Sequence, residues 1–300
     1  MQVLRRLCLH FIERSSIMVS MNKLSTERRV RIVQALVEGN SINGTSRMTG
    51  AAKNTILKLL ADLGEACVDY QDTHVRNIYA RRVQCDEIWS FCHSKAKNVP
   101  DERKGQFGYG DVWTWTAIDA DSKLCISWCI GGRDSYTGLA FMQDVARRLA
   151  QRVQLTTDGH GVYLDVVERA FGGNINYAQL VKIYGADPEA EKRYSPAKCV
   201  GAEPRAIQGK PDPKHISTSY VERHNLTMRM SMRRFTRLTN AFSKKVQNLG
   251  HAVALYFVYY NFCRRHMTLD MTPAMAAGLS DHEWSIEELV GLLEDSERSN

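Results

Sequence analysis

An acid stands inside the strand-like apolar run Val83-Gln84-Cys85-Asp86-Glu87-Ile88-Trp89-Ser90-Phe91, and a second ends the run Val153-Gln154-Leu155-Thr156-Thr157-Asp158. A charge in such a run is costly unless something balances it. Two acids at strand positions can converge on a point, although Asp158 could also cap the helix that follows it. A third acid, Glu222, lies in Ser219-Tyr220-Val221-Glu222-Arg223-His224-Asn225, a segment of helical character. Asp86 and Asp158 are 72 residues apart, and Asp158 and Glu222 are 64 apart, which leaves room for a strand-rich core and a further insertion. Convergent carboxylates repel unless cations lie between them, and hard divalent cations take such oxygen ligands. Two ions roughly 3.5–4 Å apart can clamp both oxygens of a phosphodiester displacement. Strand alternation puts Asp86 and Glu87 on opposite faces. Glu87 is then expected as an outer or surface group. Asp119 is a rival acid, better read as a turn residue in Asp119-Ala120-Asp121-Ser122.

The order of elements predicts an α/β core. Strands are expected near 82–91, 112–119 and 123–131, the last two joined as a hairpin. A helix near 135–151, a strand over 153–158 and a helix near 161–171 follow. Residues 186–214 hold five of the seven prolines and are expected to be a loop-rich insertion. Helices are expected over 218–234 and 242–265. Before this core, Ser25 or Thr26 and then Ser41 can cap two helices. Thr49-Gly50 makes a turn into a third helix over 51–63. Short helix, glycine turn and longer helix is the helix-turn-helix pattern, whose second helix enters a major groove by its N-terminal residues. Here those are Lys53, Asn54, Thr55 and Lys58. An ordinary three-helix bundle is the plainer alternative.

The net charge of +7 and a pI near 9.0 favour a polyanionic partner. From Arg223 to Lys245 there are seven basic residues and no acid, whereas Asp281 to Asn300 holds seven acids and one Arg. The first stretch suits a DNA backbone and the second a solvated, partly helical tail. Eight scattered cysteines form no CxxC pair, which argues against a structural zinc site and fits a reducing cytoplasm. No apolar run is long enough to span a bilayer. Residues 1–20 read as an upstream extension, with Met18 and Met21 as alternative starts.

The stretches Cys85–Phe91, Asp111-Val112-Trp113-Thr114-Trp115-Thr116-Ala117-Ile118-Asp119, Thr156-Thr157-Asp158-Gly159-His160, Ser219–Asn225 and Tyr260–Leu269 occur in order. Together they resemble the DDE transposases of bacterial insertion sequences, of the IS-one type, over roughly residues 22–280. The resemblance implies an RNase H-like mixed sheet with flanking helices, preceded by a small helix-turn-helix module. The expected units are 21–70 for that module, 80–240 for the catalytic core, and 241–300 for C-terminal helices and an acidic tail. It implies Asp86, Asp158 and Glu222 as catalytic and metal-holding acids. Two Mg²⁺ ions, with Mn²⁺ as a substitute, are the implied cofactors. The implied partners are double-stranded DNA, both element ends and target, and further copies of the chain. The implied location is the bacterial cytoplasm, at the nucleoid.

On the Glu222 helix, Asn225, Arg229 and Arg233 fall on the acid's face, and the resemblance makes Arg229 a contact to terminal DNA. His224 projects away and is assigned no catalysis. His160 is expected to cap a turn, and Trp89, Trp113, Trp115 and Trp128 to be core. Arg264 and His266 either touch DNA or clasp the core. The segment 22–65 is expected to bind DNA on its own, and its loss to spare the core. Two alternatives to a transposase stand: a nuclease of the same fold without strand transfer, and a repurposed DNA-binding copy.

Overall fold

A computed structural model describes residues 24–185, 198–236 and 240–298. The upstream extension, the starts at Met18 and Met21, part of the 186–214 insertion and Arg237 lie outside the described residues. Three helices come first: α1 (Thr26–Val37), α2 (Ile42–Thr49) and α3 (Lys53–His74). Ser25 and Ser41 accept from Arg28 N–H and Gly44 N–H as the caps of α1 and α2. Gly50 closes α2 at φ 68°, a left-handed conformation in which glycine has no Cβ penalty.

The sheet comprises β1 (Arg82–Cys92), β2 (Gly110–Asp119), β3 (Cys125–Gly131), β4 (Gln154–Asp158), β5 (Asn176–Gly185) and β6 (Lys198–Gln208). Its order is β3-β2-β1-β4-β5-β6. β2 runs antiparallel to β1 and β3, whereas β4 and β5 run parallel to β1. Helices α4 (Ser135–Arg148) and α5 (Val162–Phe171) make the two crossovers that parallel pairing requires. A mixed sheet in this order, with its second strand reversed, is the RNase H-like arrangement.

Both faces of β1 are covered, which is why apolar residues occur on both of them. Val83 and Cys85 face Phe141, Val145 and Tyr163 of α4 and α5. Ile88 and Cys92 face the opposite layer, which includes Met228 of α6 (Ser219–Ser231) and Phe257 of α7 (Val246–Val258). Asp119 is a turn residue as expected, accepting from Asp121 and Ser122 N–H at 3.2 and 3.1 Å.

Four expectations are corrected. The insertion contains β6, an 11-residue strand paired antiparallel with β5. It is an edge strand, so Pro204 is tolerated there and its exposed residues need not alternate. α3 runs to His74 rather than 63, because Ala66, Cys67 and Gln71 continue its buried face. That face packs against α7 so closely that a Cβ on Gly64 would lie 2.6 Å from the His251 Cβ. Leu59, Leu63 and Ala254 share one apolar core with the sheet. The buried Arg148 guanidinium also ties the end of α3 to α4, donating to Val75 O at 2.6 Å and Gln71 O at 2.9 Å. Residues 24–65 are thus a wall of the core, and removal of the 22–65 segment would strip it. Finally, the acidic tail carries a helix as expected, α9 (Ile286–Arg298), after the short α8 (Pro273–Ala276), but it is not simply solvated. Its Leu289 and Val290 are buried in that same core, so the tail is docked on one side and solvated on the other.

Candidate metal centre at the end of the sheet

Gln84 fixes the geometry before any acid is considered. It lies two residues before Asp86, on the same face of β1. Its side-chain oxygen accepts from Tyr220 N–H at 2.8 Å and Val221 N–H at 3.1 Å. These N–H groups open α6, where the N-cap residue Thr218 supplies no side-chain cap. A strand residue therefore caps the helix that carries Glu222 and sets it beside Asp86. From the next turn of α6, Asn225 Nδ2 donates to Asp86 Oδ2 at 2.8 Å.

Register does the same for Asp158. Cys85 pairs with Thr157, so Asp86 and Asp158 are next neighbours where β4 ends. Ligand oxygens of Asp86, Glu87 and Asp158 lie within 4.8 Å of one another. Glu87 does point to the other face, toward Tyr163 and Arg133, but it is no surface group: its side chain is fully buried. Asp158, at the strand end, is close to both faces. Glu222 stands outside this tight trio. Lys182 Nζ of β5 holds its Oε2 at 2.5 Å, and Thr218 Oγ1 donates to its other oxygen. Arg133, in the loop before α4, donates from Nε to Glu87 Oε2 at 3.2 Å, with Nη2 3.7 Å from Asp158 Oδ2.

The electrostatics are those of a site short of positive charge. Burial, then the Asp158 carboxylate, pushes Asp86 up to about 7, with Glu222 adding to the effect. Burial also pushes Glu87 up to about 7, against the pull of Tyr163 and Arg133. Glu87 Oε1 is buried without a hydrogen-bond partner among the described residues. The donors are all carboxylate oxygens, one of them an orphan, and this set fits a hard divalent cation.

The other sequence-derived residues fall into two groups. Asn225 is buried against Asp86. Arg229 is half-buried on α6. Arg233 is not on that helix: Met232 is extended at φ −125°, and burial of Met232 and Phe235 turns the chain inward, leaving Arg233 exposed in a separate single turn. Lys53 and Asn54 are exposed at the start of α3, Thr55 is half-buried, and Lys58 pairs with Asp62 at 2.9 Å. These four are remote in sequence from the carboxylates and are not among the groups contacting them. His224 is buried against Phe257 and Tyr260, its pKa pushed down to about 3 by burial. His160 donates its backbone N–H to Asp158 Oδ1 at 3.0 Å, a turn role. Trp115 is fully buried, but Trp113 is partly open, beneath Arg133. Arg264 clasps the core, donating to Ser231 Oγ at 3.0 Å.

Sequence reading misses Gln84, Lys182 and Arg133. Gln84 has a signal, a polar residue within the apolar run on the Asp86 face. The two cations have none: Arg133 sits in a loop without periodicity, and Lys182 is a single base in a strand whose neighbours give no hint of the acid it meets.

Strand order and the carboxylates at its end define an RNase H-like fold with an acidic centre. The chain is similar to the piggyBac transposase in a synaptic complex with hairpin DNA, at 10% identity and a TM-score of 0.39, over 98% of this chain and 76% of that one. It is also similar to the Mos1 mariner paired end complex with Mn, at 9% identity and a TM-score of 0.34, over 96% of this chain and 82% of that one. No protein-family model and no curated protein matches the chain. No helix among the described residues is long and apolar enough to cross a membrane.

Proposed function

We propose that the protein is a DDE-type DNA transposase of a bacterial insertion sequence, cutting element ends and joining them to target DNA. The observation that carries this reading is the meeting of Asp86, Glu87 and Asp158 within 4.8 Å, beside a helix locked to β1 that brings Glu222. Asp86, Asp158 and Glu222 would hold Mg²⁺ or Mn²⁺, with Glu87 behind them. When bound, such ions lower the pKa of water and stabilise charge on phosphate oxygens. Asn225 holds Asp86 Oδ2 and the Glu87 backbone N–H holds Oδ1 at 2.8 Å, which together fix the plane of the carboxylate. Gln84 keeps Glu222 from drifting. Hydrolysis at an element end frees a 3′-OH. That hydroxyl then attacks a target phosphodiester and displaces the 3′-oxygen of the target strand, so no covalent protein–DNA bond forms. Lys53, Asn54, Thr55 and Lys58 at the start of α3, with Arg229 and Arg233, would bind the duplex, and two copies of the chain would hold two ends.

The test uses the purified full chain, Mg²⁺ and duplexes carrying the ends of the surrounding element. Nicked and joined products are expected, both lost in Asp158→Asn. Nicks without joined product indicate the nuclease alternative. Binding without any Mg²⁺-dependent cleavage rejects the enzymatic reading and leaves the repurposed copy.

A further inference from the structure

Among the described residues, Arg133 is the one cation that touches the buried acid of the cluster, and its surroundings hold it there. The loop that carries it is tight: a Cβ on Gly132 would lie 1.9 Å from Asp134 Oδ2, and Asp134 caps α4 by accepting from Thr137 N–H at 2.8 Å. The Arg133 guanidinium carbon lies 4.7 Å from the centroid of the Trp113 ring, which fixes the plane of the fork. Among the described residues only its Nε–H is in a hydrogen bond, to Glu87. Nη2 is 3.7 Å from Asp158, an ion pair too long for a hydrogen bond, and the side chain is 37% exposed. Four N–H donors of the fork are thus uncommitted at the mouth of the carboxylate cluster.

Charge counting sets the consequence. When all are ionised, Asp86, Glu87, Asp158 and Glu222 carry four negative charges, against two positive charges on Arg133 and Lys182. Two divalent cations would balance the acids by themselves. Arg133 is then surplus inside the cluster, and a guanidinium fork fits a phosphate in two-point fashion.

We propose that Arg133 is an exchangeable counter-ion: it neutralises Glu87 and Asp158 before metal binds, and turns to a backbone phosphate of the bound DNA when metal takes its place. This rests on the metal centre proposed above. It couples the two ligands, because metal must release Arg133 before DNA gains its contact.

The test compares wild type, Arg133→Gln and Arg133→Lys as full chains. Mn²⁺ binding is measured by calorimetry without DNA, and binding of a fluorescent duplex is measured in EDTA and in Ca²⁺. Arg133→Gln is expected to bind Mn²⁺ about tenfold tighter, because a competing cation is gone, and to bind the duplex in Ca²⁺ about tenfold more weakly. In EDTA its duplex affinity should equal that of wild type. Arg133→Lys should keep the wild-type Mn²⁺ affinity and recover part of the duplex binding. A purely structural role would weaken both ligands and lower the melting temperature, and that result overturns the proposal. Unchanged Mn²⁺ affinity, or an undiminished gain in duplex binding on adding Ca²⁺, also overturns it. A wild-type chain that binds no Mn²⁺ rejects the metal centre itself, a different outcome from the failure of Arg133 alone.

Discussion

The two faces of β1 each present an acid, one residue apart, and treat it differently. On the α6 side, Asp86 receives a neutral amide, Asn225, and lies near two further acids, Asp158 and Glu222. On the α4–α5 side, Glu87 is sealed from solvent but is given a cation of its own, Arg133. Both are pushed up to about 7, but Asp86 by burial and its fellow acids, and Glu87 by burial against a partial counter-charge. Such a contrast separates a group that awaits a ligand from one that stands behind it.

The largest expected effect comes from Asp86→Asn. Cleavage should fall by more than about 10³-fold, as when an essential group of a catalytic unit is removed. Stability should move the opposite way. A carboxyl whose pKa is raised on folding favours the folded state while it keeps its proton, and that contribution is lost as pH rises through 7. Asp86→Asn should therefore raise the melting temperature of the metal-free protein at pH 8, and leave it nearly unchanged at pH 4. A fall at pH 8 would break the contrast at its stronger side.

Glu87→Gln should cost less, about 10–100-fold in cleavage, the scale seen for groups that support metal ligands. A loss as large as that of Asp86→Asn would make Glu87 an equal ligand. Mn²⁺ should raise the melting temperature at pH 7.5, by the equivalent of about 2.7 kcal/mol at a hundred times its Kd. The gain should vanish near pH 5 as Asp86 and Glu87 take up protons. A thermal scan across pH reads this directly.

Gln84→Leu tests the helix cap. It leaves the Tyr220 and Val221 N–H groups without their acceptor, at about 1–3 kcal/mol, and frees Glu222 from its register with Asp86. Melting temperature and cleavage should fall together, with DNA binding retained. The smallest effect is expected at the first turn of α3. Lys53→Ala should weaken duplex binding evenly across sequences and reduce the salt slope by about 1. No change in that slope would take Lys53 off the phosphates.

What is legible in the sequence follows from periodicity. An acid in a strand run and another at a strand end are legible as neighbours, because strands impose fixed directions on side chains, whereas the helix-borne Glu222 stands outside the tight trio. Alternation places Glu87 on the other face, as the structure does. It gives no hint of burial, which depends on α5 bringing Tyr163 over it. β6 is hidden because Pro204 and a run of exposed small and polar residues mimic a loop, when only one of its edges is paired. The tail misleads through charge: its acids point to solvent, whereas Leu289, Leu292 and Leu293 dock one side of its helix on the core. Helical spacing also carries Arg233 past the point where burial of Met232 ends the helix.

The close approach of Gly64 to His251 has a mechanical meaning. α3 is 22 residues long, about 33 Å at 1.5 Å per residue. One end shows Lys53 to solvent, and the other is riveted to α4 through Arg148. With its middle pressed against α7, the helix is a stiff beam and not a tether. Whatever meets its exposed tip therefore meets a surface fixed to the core and not one that swings.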